Sequence, residues 1–446
     1  MKKMKRFFAT ALGCLLALGG LGMTACGEDD PKTITVGFLN NAPEEANMTR
    51  LRNAFEKKYE AEGYRVNFYY IHGDYHQVVL TDTLANMLPD VICVPDDTSA
   101  YWTNRGIYAN LDEYIERDNI DLSLYVDSMI DIARSGQDDD DSLYWLPRAY
   151  DKLVTYVNTD VFETAGIAVP TAEEWTWAKM KEVAGQLKNK TQDIIDASKE
   201  DPDTEIRDFV PMTIDPSWAP VYTTMFKNYG VKLASNGKPF DGQQANIDAC
   251  IQELYSLYEN GLVMTGKDVD ITHGEIGFMV GGVRPGVPNY EDSGINYAVL
   301  PFPTEINGNS YVACGTAGYT MTTSCPENKR EIAWKFLSYM FSEEGQQAFS
   351  KTGLLCPVMK SLLADENAEW QKASSVDDTA FYANPERDFK ATFLQNYKPL
   401  DPHPMIYKAY TNMFKNLYAE NFGGKGSLSA FYTYYSGLIQ QELNRK

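Results

Sequence analysis

The sequence predicts an α/β fold, and three short runs near its start carry the prediction. Thr33–Leu39 and Arg65–Ile71 alternate apolar and polar residues, Val91–Val94 is wholly apolar, and stretches with helical spacing lie between them. Strand, helix, strand, helix, strand is the order of a parallel sheet, because parallel neighbours need a long crossover to bring the chain back.

Each element has its own signal. Met48, Leu51, Phe55 and Tyr59 recur at helical spacing, and Gly63 follows as a stop. In the second strand Val66, Phe68 and Tyr70 share one face, and a second helix is expected over about Gln77–Met87. The unbroken third run suits a strand buried on both faces. Further on, Tyr144-Trp145-Leu146-Pro147 leads into a strand at Leu153–Val157 and a helix from about Thr159. Pro170 and Thr171 precede a helix around Glu173–Leu187, where Trp175 and Trp177 read as packing residues. Ile332, Ala333, Phe336, Leu337, Met340 and Phe341 form a core-facing stripe within Glu331–Phe341.

The first residues read differently. Lys2, Lys3, Lys5 and Arg6 precede an apolar run from Phe7 to Met23, closed by Thr24, Ala25 and Cys26. That is the layout of an export signal over 1–25, and Gly13, Gly19, Gly20 and Gly22 argue against a permanent span. Met23-Thr24-Ala25-Cys26 resembles a lipoprotein cleavage box, which implies cutting before Cys26 and lipidation of its thiol, with 26–31 as a short tether. The expected location is the outer side of a bacterial cell membrane.

What remains is too long for one ordinary core and fits two lobes. Apolar residues make up 44%, enough for a packed interior, and no second long apolar run follows. The formal charge of −22 excludes a nucleic-acid partner and suits a well-solvated monomer, while leaving room for a cationic ligand. Cys93, Cys250, Cys314, Cys325 and Cys356 are odd in number and lack CxxC spacing, so they read mainly as buried thiols; Cys314–Cys325 and Cys314–Cys356 are the alternatives.

In open α/β sheets ligands sit beyond the carboxyl ends of the strands. Asn40 and Asn41 follow the first strand, and Asp96 and Asp97 follow the third. All four are candidate ligand contacts, with turn former or helix cap as the other reading.

Several segments together resemble the extracellular solute-binding proteins (family 1) of ABC-type sugar importers, the group of maltose-binding protein. They are LPDVICVPDDTSAYWTNRGIYANLDEYI (88–115), YWLPRAYDKLVTYVNTDVFETAGI (144–167), VPTAEEW (169–175), GEIGFMVGG (274–282), YAVLPFP (297–303) and ENKREIAWKFLSYMFSEEGQQAFSKTGLLCPVMKS (327–361). The resemblance implies a two-lobed, periplasmic-binding-protein-like fold (type II) with three hinge crossings and a ligand in the interlobe cleft. Carried onto this chain, the crossings fall near Arg148–Tyr156, Tyr297–Pro301 and Cys356–Met359. Lobe one becomes 32–150 plus 300–356, and lobe two 151–299 plus 357–446. It also implies a carbohydrate ligand, permease subunits as partners, no cofactor and no catalysis.

A sugar needs planar polar groups for its hydroxyls and aromatic rings for its C–H faces. In the first crossing Arg148, Tyr150 and Asp151 are candidates, although Arg148 and Asp151 read equally as a hinge ion pair. Trp218, in the irregular Asp-Pro-Ser-Trp-Ala-Pro, is the candidate stacking ring. Gly282 would let a ligand approach the backbone and Arg284 would fork onto hydroxyls; Gly315, Thr316 and Tyr319 resemble a small-residue cleft segment; both stretches also read as ordinary turns. Tyr407 and Tyr410, after Asp401-Pro-His403-Pro, are weaker aromatic candidates.

Other chemistries fit less well. Asp201–Asp208 lacks the Gly of a calcium loop, and Gly73 spoils a shared face for His72 and His76, so no metal is expected. A receptor for a cationic solute such as a polyamine is the alternative function, supported by Asp96, Asp97 and Asp151 and opposed by Arg148 and Arg284. A glycosidase built on facing carboxylates has no supporting motif.

Overall fold

The structure is a computed structural model and describes residues 30–95, 99–134, 140–200, 205–232, 234–235, 238–239, 242–264, 269–315, 317–390, 405–419 and 421–444. The expected signal, Cys26, Asp96, Asp97, His403 and Thr316 lie outside these residues.

β1 (Thr33–Leu39), β2 (Arg65–Ile71) and β3 (Val91–Pro95) fall where the alternation placed them. They alternate with helices Ala42–Lys58 and Tyr75–Ala85, and β1 pairs parallel to both β2 and β3. β4 (Leu146–Pro147) and β13 (Ala317–Met321) complete a five-stranded sheet in the order β2-β1-β3-β13-β4, with β13 antiparallel to its neighbours. Gly318 is required there, since a Cβ would lie 2.3 Å from the Leu146 carbonyl oxygen and the Trp145 ring.

After β5 (Asp151–Lys152), a second sheet joins β6 (Val154–Asn158), β7 (Val210–Ile214), β10 (Ile276–Gly282) and β11 (Tyr297–Pro301) in the order β11-β6-β10-β7. β8 (Ala234–Ser235) and β9 (Lys238–Pro239) form a small hairpin. β6 packs on both faces, Val154 and Tyr156 with one apolar cluster and Leu153 and Val157 with another, as a period of two requires.

Those clusters are two cores. The first draws on residues from Ile34 to Tyr150, on Val154, Tyr156, Ile271, Ile276, Val287, Tyr290 and Tyr297 of the second sheet's near face, and on Cys314 to Phe381; the second draws on Leu153, on Val157 to Val263, on Phe278 and Val280, and on Leu300 to Ala313 and Ala409 to Ile439. Segment 300–313, expected with the first lobe, therefore packs into the second core through Phe302, Ile306 and Val312. Segment 358–381, expected with the second, touches both lobes: Val358 and Leu362 join the apolar cluster of the first sheet, while Phe381 packs 6.1 Å from the ring of Tyr156 in β6 and Trp370 lies under Arg284 beyond β10. The physical reason is pairing: β11 hydrogen-bonds along β6 over its whole length, so the chain must run past it before crossing back.

The chain leaves the first sheet after β4 to enter the second through β5 and β6, and returns to the first through β12 (Val312–Gly315) and β13. At those passages β5, β12 and β14 (Asp388–Lys390) form their own sheet, β14-β12-β5. Tyr297–Pro301, expected as a crossing, is β11 of the second sheet, whereas Cys356, in the other expected crossing, bridges to Tyr150 beside β5, with Tyr150 N donating to Cys356 O at 2.9 Å. Tyr150 and Lys152, two apart on one face, both reach Asp388: the phenol hydroxyl donates to it, and the Lys152 ammonium lies 2.9 Å from Oδ1. Cys93, Cys250, Cys314, Cys325 and Cys356 are all buried free thiols.

Candidate functional site

Four chain segments meet at the carboxyl edge of the first sheet: the ends of β1 and β3, the start of β13 and the residue after β4. Arg148 is fixed there by its own backbone, whose N–H donates to the Ala317 carbonyl at 3.1 Å. Its Nε donates to Glu44 Oε1 at 3.0 Å, and Tyr319 Oη donates to the same oxygen at 2.7 Å. Glu44 sits in the first turn of helix Ala42–Lys58, where the helix dipole favours a negative charge. Burial, and then the Glu44 charge, hold the Tyr319 phenol well above its usual range. Among the described residues only Nε of Arg148 bonds to another side chain, and its two terminal nitrogens are candidate donors for a ligand.

Asn40 is exposed, with its amide nitrogen 3.1 Å from His72 Nδ1. Asn41 is a helix cap: its side-chain oxygen accepts from Glu44 N at 2.9 Å and its amide donates to Leu39 O at 3.3 Å. Expectations for Asp96, Asp97 and Thr316 fall outside the described residues. Gly315 lies at the same edge and pairs with Asp151 in register.

At the hinge the predicted residues divide. Asp151 is half-buried and accepts from Arg284 N at 3.3 Å, and burial raises its carboxyl to about 7 against the opposing pull of that N–H. Arg148 pairs with Glu44, not with Asp151. Tyr150 is fully buried and held by Asp388, which removes it from the ligand set.

Arg284 is the clearest correction. It is 0% exposed, with Nε donating to Gly353 O at 2.6 Å, one terminal nitrogen to Asp378 at 2.5 Å and the other to Trp370 O at 3.3 Å. Every arm of its fork ends on protein, so it ties β10's exit to segment 353–378 and does not grip hydroxyls. Gly282 is likewise a packing glycine, since a Cβ would lie 2.3 Å from the Tyr156 ring. Tyr319, at 0% exposure, acts through Glu44 and not on a ligand directly.

In the second lobe the ends of β7 and β10 border a hollow of about 450 Å³. Trp218 lines it and is 38% exposed, unusual for a tryptophan beside a buried floor of Phe414 and Val221. It is positioned by a turn in which Asp215 Oδ1 accepts from Ser217 N at 2.8 Å and from Ser217 Oγ at 2.6 Å. Lys415, the last residue of helix Met405–Lys415, and Tyr418 beyond it close the other side. Tyr410 is core, packed on Tyr222 and Phe226; the Tyr407 side chain lies outside the described part of the structure.

Glu44, Asp215, Lys415 and Tyr418 were missed from sequence. Glu44 lay one turn into a helix, and its contact with Arg148 spans most of the first lobe; only the acidic first turn hinted at it. Among the described residues no group of three or more His, Cys, Asp or Glu could hold a metal, and His76 packs 4.8 Å from the rings of both Tyr101 and Trp102. No described helix is long and apolar enough to cross a membrane.

The fold has many solved counterparts. A sugar-binding MalE from Xanthomonas citri superposes with a TM-score of 0.71 at 18% identity, covering 92% of this chain and 97% of its own. An ABC substrate-binding protein from Listeria monocytogenes, solved with cycloalternan, gives 0.69 at 18% identity over 93% of this chain and 99% of its own. In sequence, a candidate binding protein of Brucella abortus is 25% identical over 323 residues, 68% of this chain and 72% of its own. The family model of the bacterial extracellular solute-binding proteins matches residues 50–377, and this chain belongs to that family.

Proposed function

We propose that this protein captures a carbohydrate, an oligosaccharide in particular, by closing its two lobes over it, and delivers it to the permease of an ABC importer from a lipid anchor on Cys26. The family binds solutes outside the cytoplasm and is not one of enzymes, so binding is the whole of the chemistry required. The observation that carries the reading is the exposed Trp218 in the hollow at the ends of β7 and β10. Its volume falls in the usual range for ligand sites, and an exposed indole over an apolar floor suits the C–H face of a sugar ring. Arg148, across the hinge, supplies donors for hydroxyls without bringing an unpaired charge, since Glu44 neutralises it. Structural counterparts solved with cycloalternan and with maltotetraose support an extended ligand.

Arg284 no longer opposes a cationic ligand, because it is buried away from the cleft. Arg148 and Lys415 still do. A thermal-shift panel of mono- and oligosaccharides, with spermidine as the cationic control, separates the readings. A saturable shift with one sugar class supports the receptor. A shift with spermidine alone would replace it.

A further inference from the structure

Helix Tyr75–Ala85 has two apolar faces. Tyr75 and Val79 are buried against the sheet, while Leu80, Leu84 and, just past the helix, Met87 point outward at 45%, 82% and 54% exposure. Leu80 and Leu84, four apart, share one stripe of the helix, and Met87 is exposed just beyond the left-handed Asn86 that ends it. Single exposed apolar residues are ordinary, but two in register with a third close by make an unpartnered face.

The stripe lies at a particular edge. The helix connects the end of β2 to the start of β3, so it runs opposite to the strands and finishes where they begin. Val91 pairs with Val36, and Pro89 packs on Gly37, which places Pro89, four residues past the helix end, beside the middle of β1. The described chain enters at this same edge: Asp30 accepts from Thr33 Oγ1 at 2.7 Å and from Lys32 N at 3.0 Å.

We infer that Leu80, Leu84 and Met87 rest on the lipid surface in which Cys26 is anchored. The inference depends on the reading of Cys26 as the lipidated residue. Asp30 lies four residue steps beyond Cys26, and a fully extended chain of that length reaches about 14 Å. The headgroup layer takes up about 6 Å of that, so the amino edge of the first sheet is held close to the membrane surface. An apolar stripe there meets the boundary between headgroups and acyl chains, where such faces are stabilised. Charge does not drive the contact, because Lys57 and Arg65 stand beside Glu60 and Glu62 at this edge. The contact therefore withstands salt.

The test uses the mature protein purified with its lipid and reconstituted in phosphatidylethanolamine/phosphatidylglycerol vesicles. An environment-sensitive fluorophore is attached through Leu84→Cys, with Gln192→Cys, on an exposed helix of the second lobe, as the reference. The native thiols are buried and do not compete for label. Expected are a blue shift at position 84, quenching by brominated lipid several-fold stronger than at position 192, and no change in high salt. Equal, weak quenching at both positions on protein whose mass shows the acyl chains would overturn the inference and leave the anchor standing. A mass without acyl chains would overturn the anchor and the inference with it. A blue shift that appears without vesicles and grows with protein concentration would assign the stripe to a second copy of the chain, and would also overturn it.

Discussion

Arg148 and Tyr319 converge on one oxygen of Glu44, at 3.0 and 2.7 Å. The three come from the exit of β4, from β13 and from the first turn after β1, so the carboxylate joins segments far apart in sequence. It also aims the guanidinium's remaining nitrogens. Arg148→Met removes the partner of a buried carboxylate and is expected to destabilise the apo protein by about 3 kcal/mol, read by thermal and urea unfolding. Ligand affinity should fall in the same variant.

Trp218→Ala should weaken saccharide binding by about 1–3 kcal/mol while leaving the apo melting temperature nearly unchanged, because the ring is more than a third exposed. Calorimetric titration and unfolding of the same variant check both halves. A collapse of apo stability would make Trp218 a core residue.

The hinge carries a buried ion pair, Lys152 with Asp388, reinforced by the Tyr150 hydroxyl. Lys152→Met leaves Asp388 charged in a poor solvent and should cost about 3–5 kcal/mol. Adding Asp388→Leu should recover much of that loss, since two apolar groups of similar volume need no partner. A double variant as unstable as the single one would show that the pair contributes more than its desolvation takes away.

Asp151 gives the hinge a pH dependence. Burial raises its carboxyl to about 7, so the folded state holds a proton that the unfolded chain, with an ordinary carboxyl near 4, has released. Stability attached to this group is therefore full at low pH, falls as pH rises from about 4 to about 7, and is level above that. Asp151→Asn should flatten this part of the profile of melting temperature against pH. An unchanged slope would mean that Asp151 titrates normally.

The five described cysteines are buried, and burial pushes Cys93, Cys325 and Cys356 up to about 12. A thiol reagent should find almost none of them in the native protein and all of them after denaturation. A deficit after denaturation would reveal a disulfide.

Local physics was legible in the sequence. Strands β1, β2 and β3 were readable because alternation and an unbroken apolar run follow directly from which faces are buried. Trp175 and Trp177 were recognisable as packing residues and are buried. Long-range pairing was not legible. YAVLPFP reads as a crossing until its partner is known, and only the register of Tyr297 with Asn158 makes it an edge strand of the second sheet. Arg284 failed for the same reason: an arginine after a glycine-rich strand looks available, and its partners Gly353, Trp370 and Asp378 lie far along the chain. Asn41 was ambiguous between cap and ligand contact, and its bond to Glu44 N decides for the cap.

The most direct test is calorimetric titration of the mature chain with maltotetraose and cycloalternan, followed by small-angle scattering of any complex. The account predicts saturable binding at one site, a smaller radius of gyration on binding, and weaker binding in Trp218→Ala. A ligand at a hundred times its dissociation constant would also stabilise the protein by about 2.7 kcal/mol, an independent check by melting. No heat and no stabilisation with any saccharide, together with binding of spermidine, would contradict it.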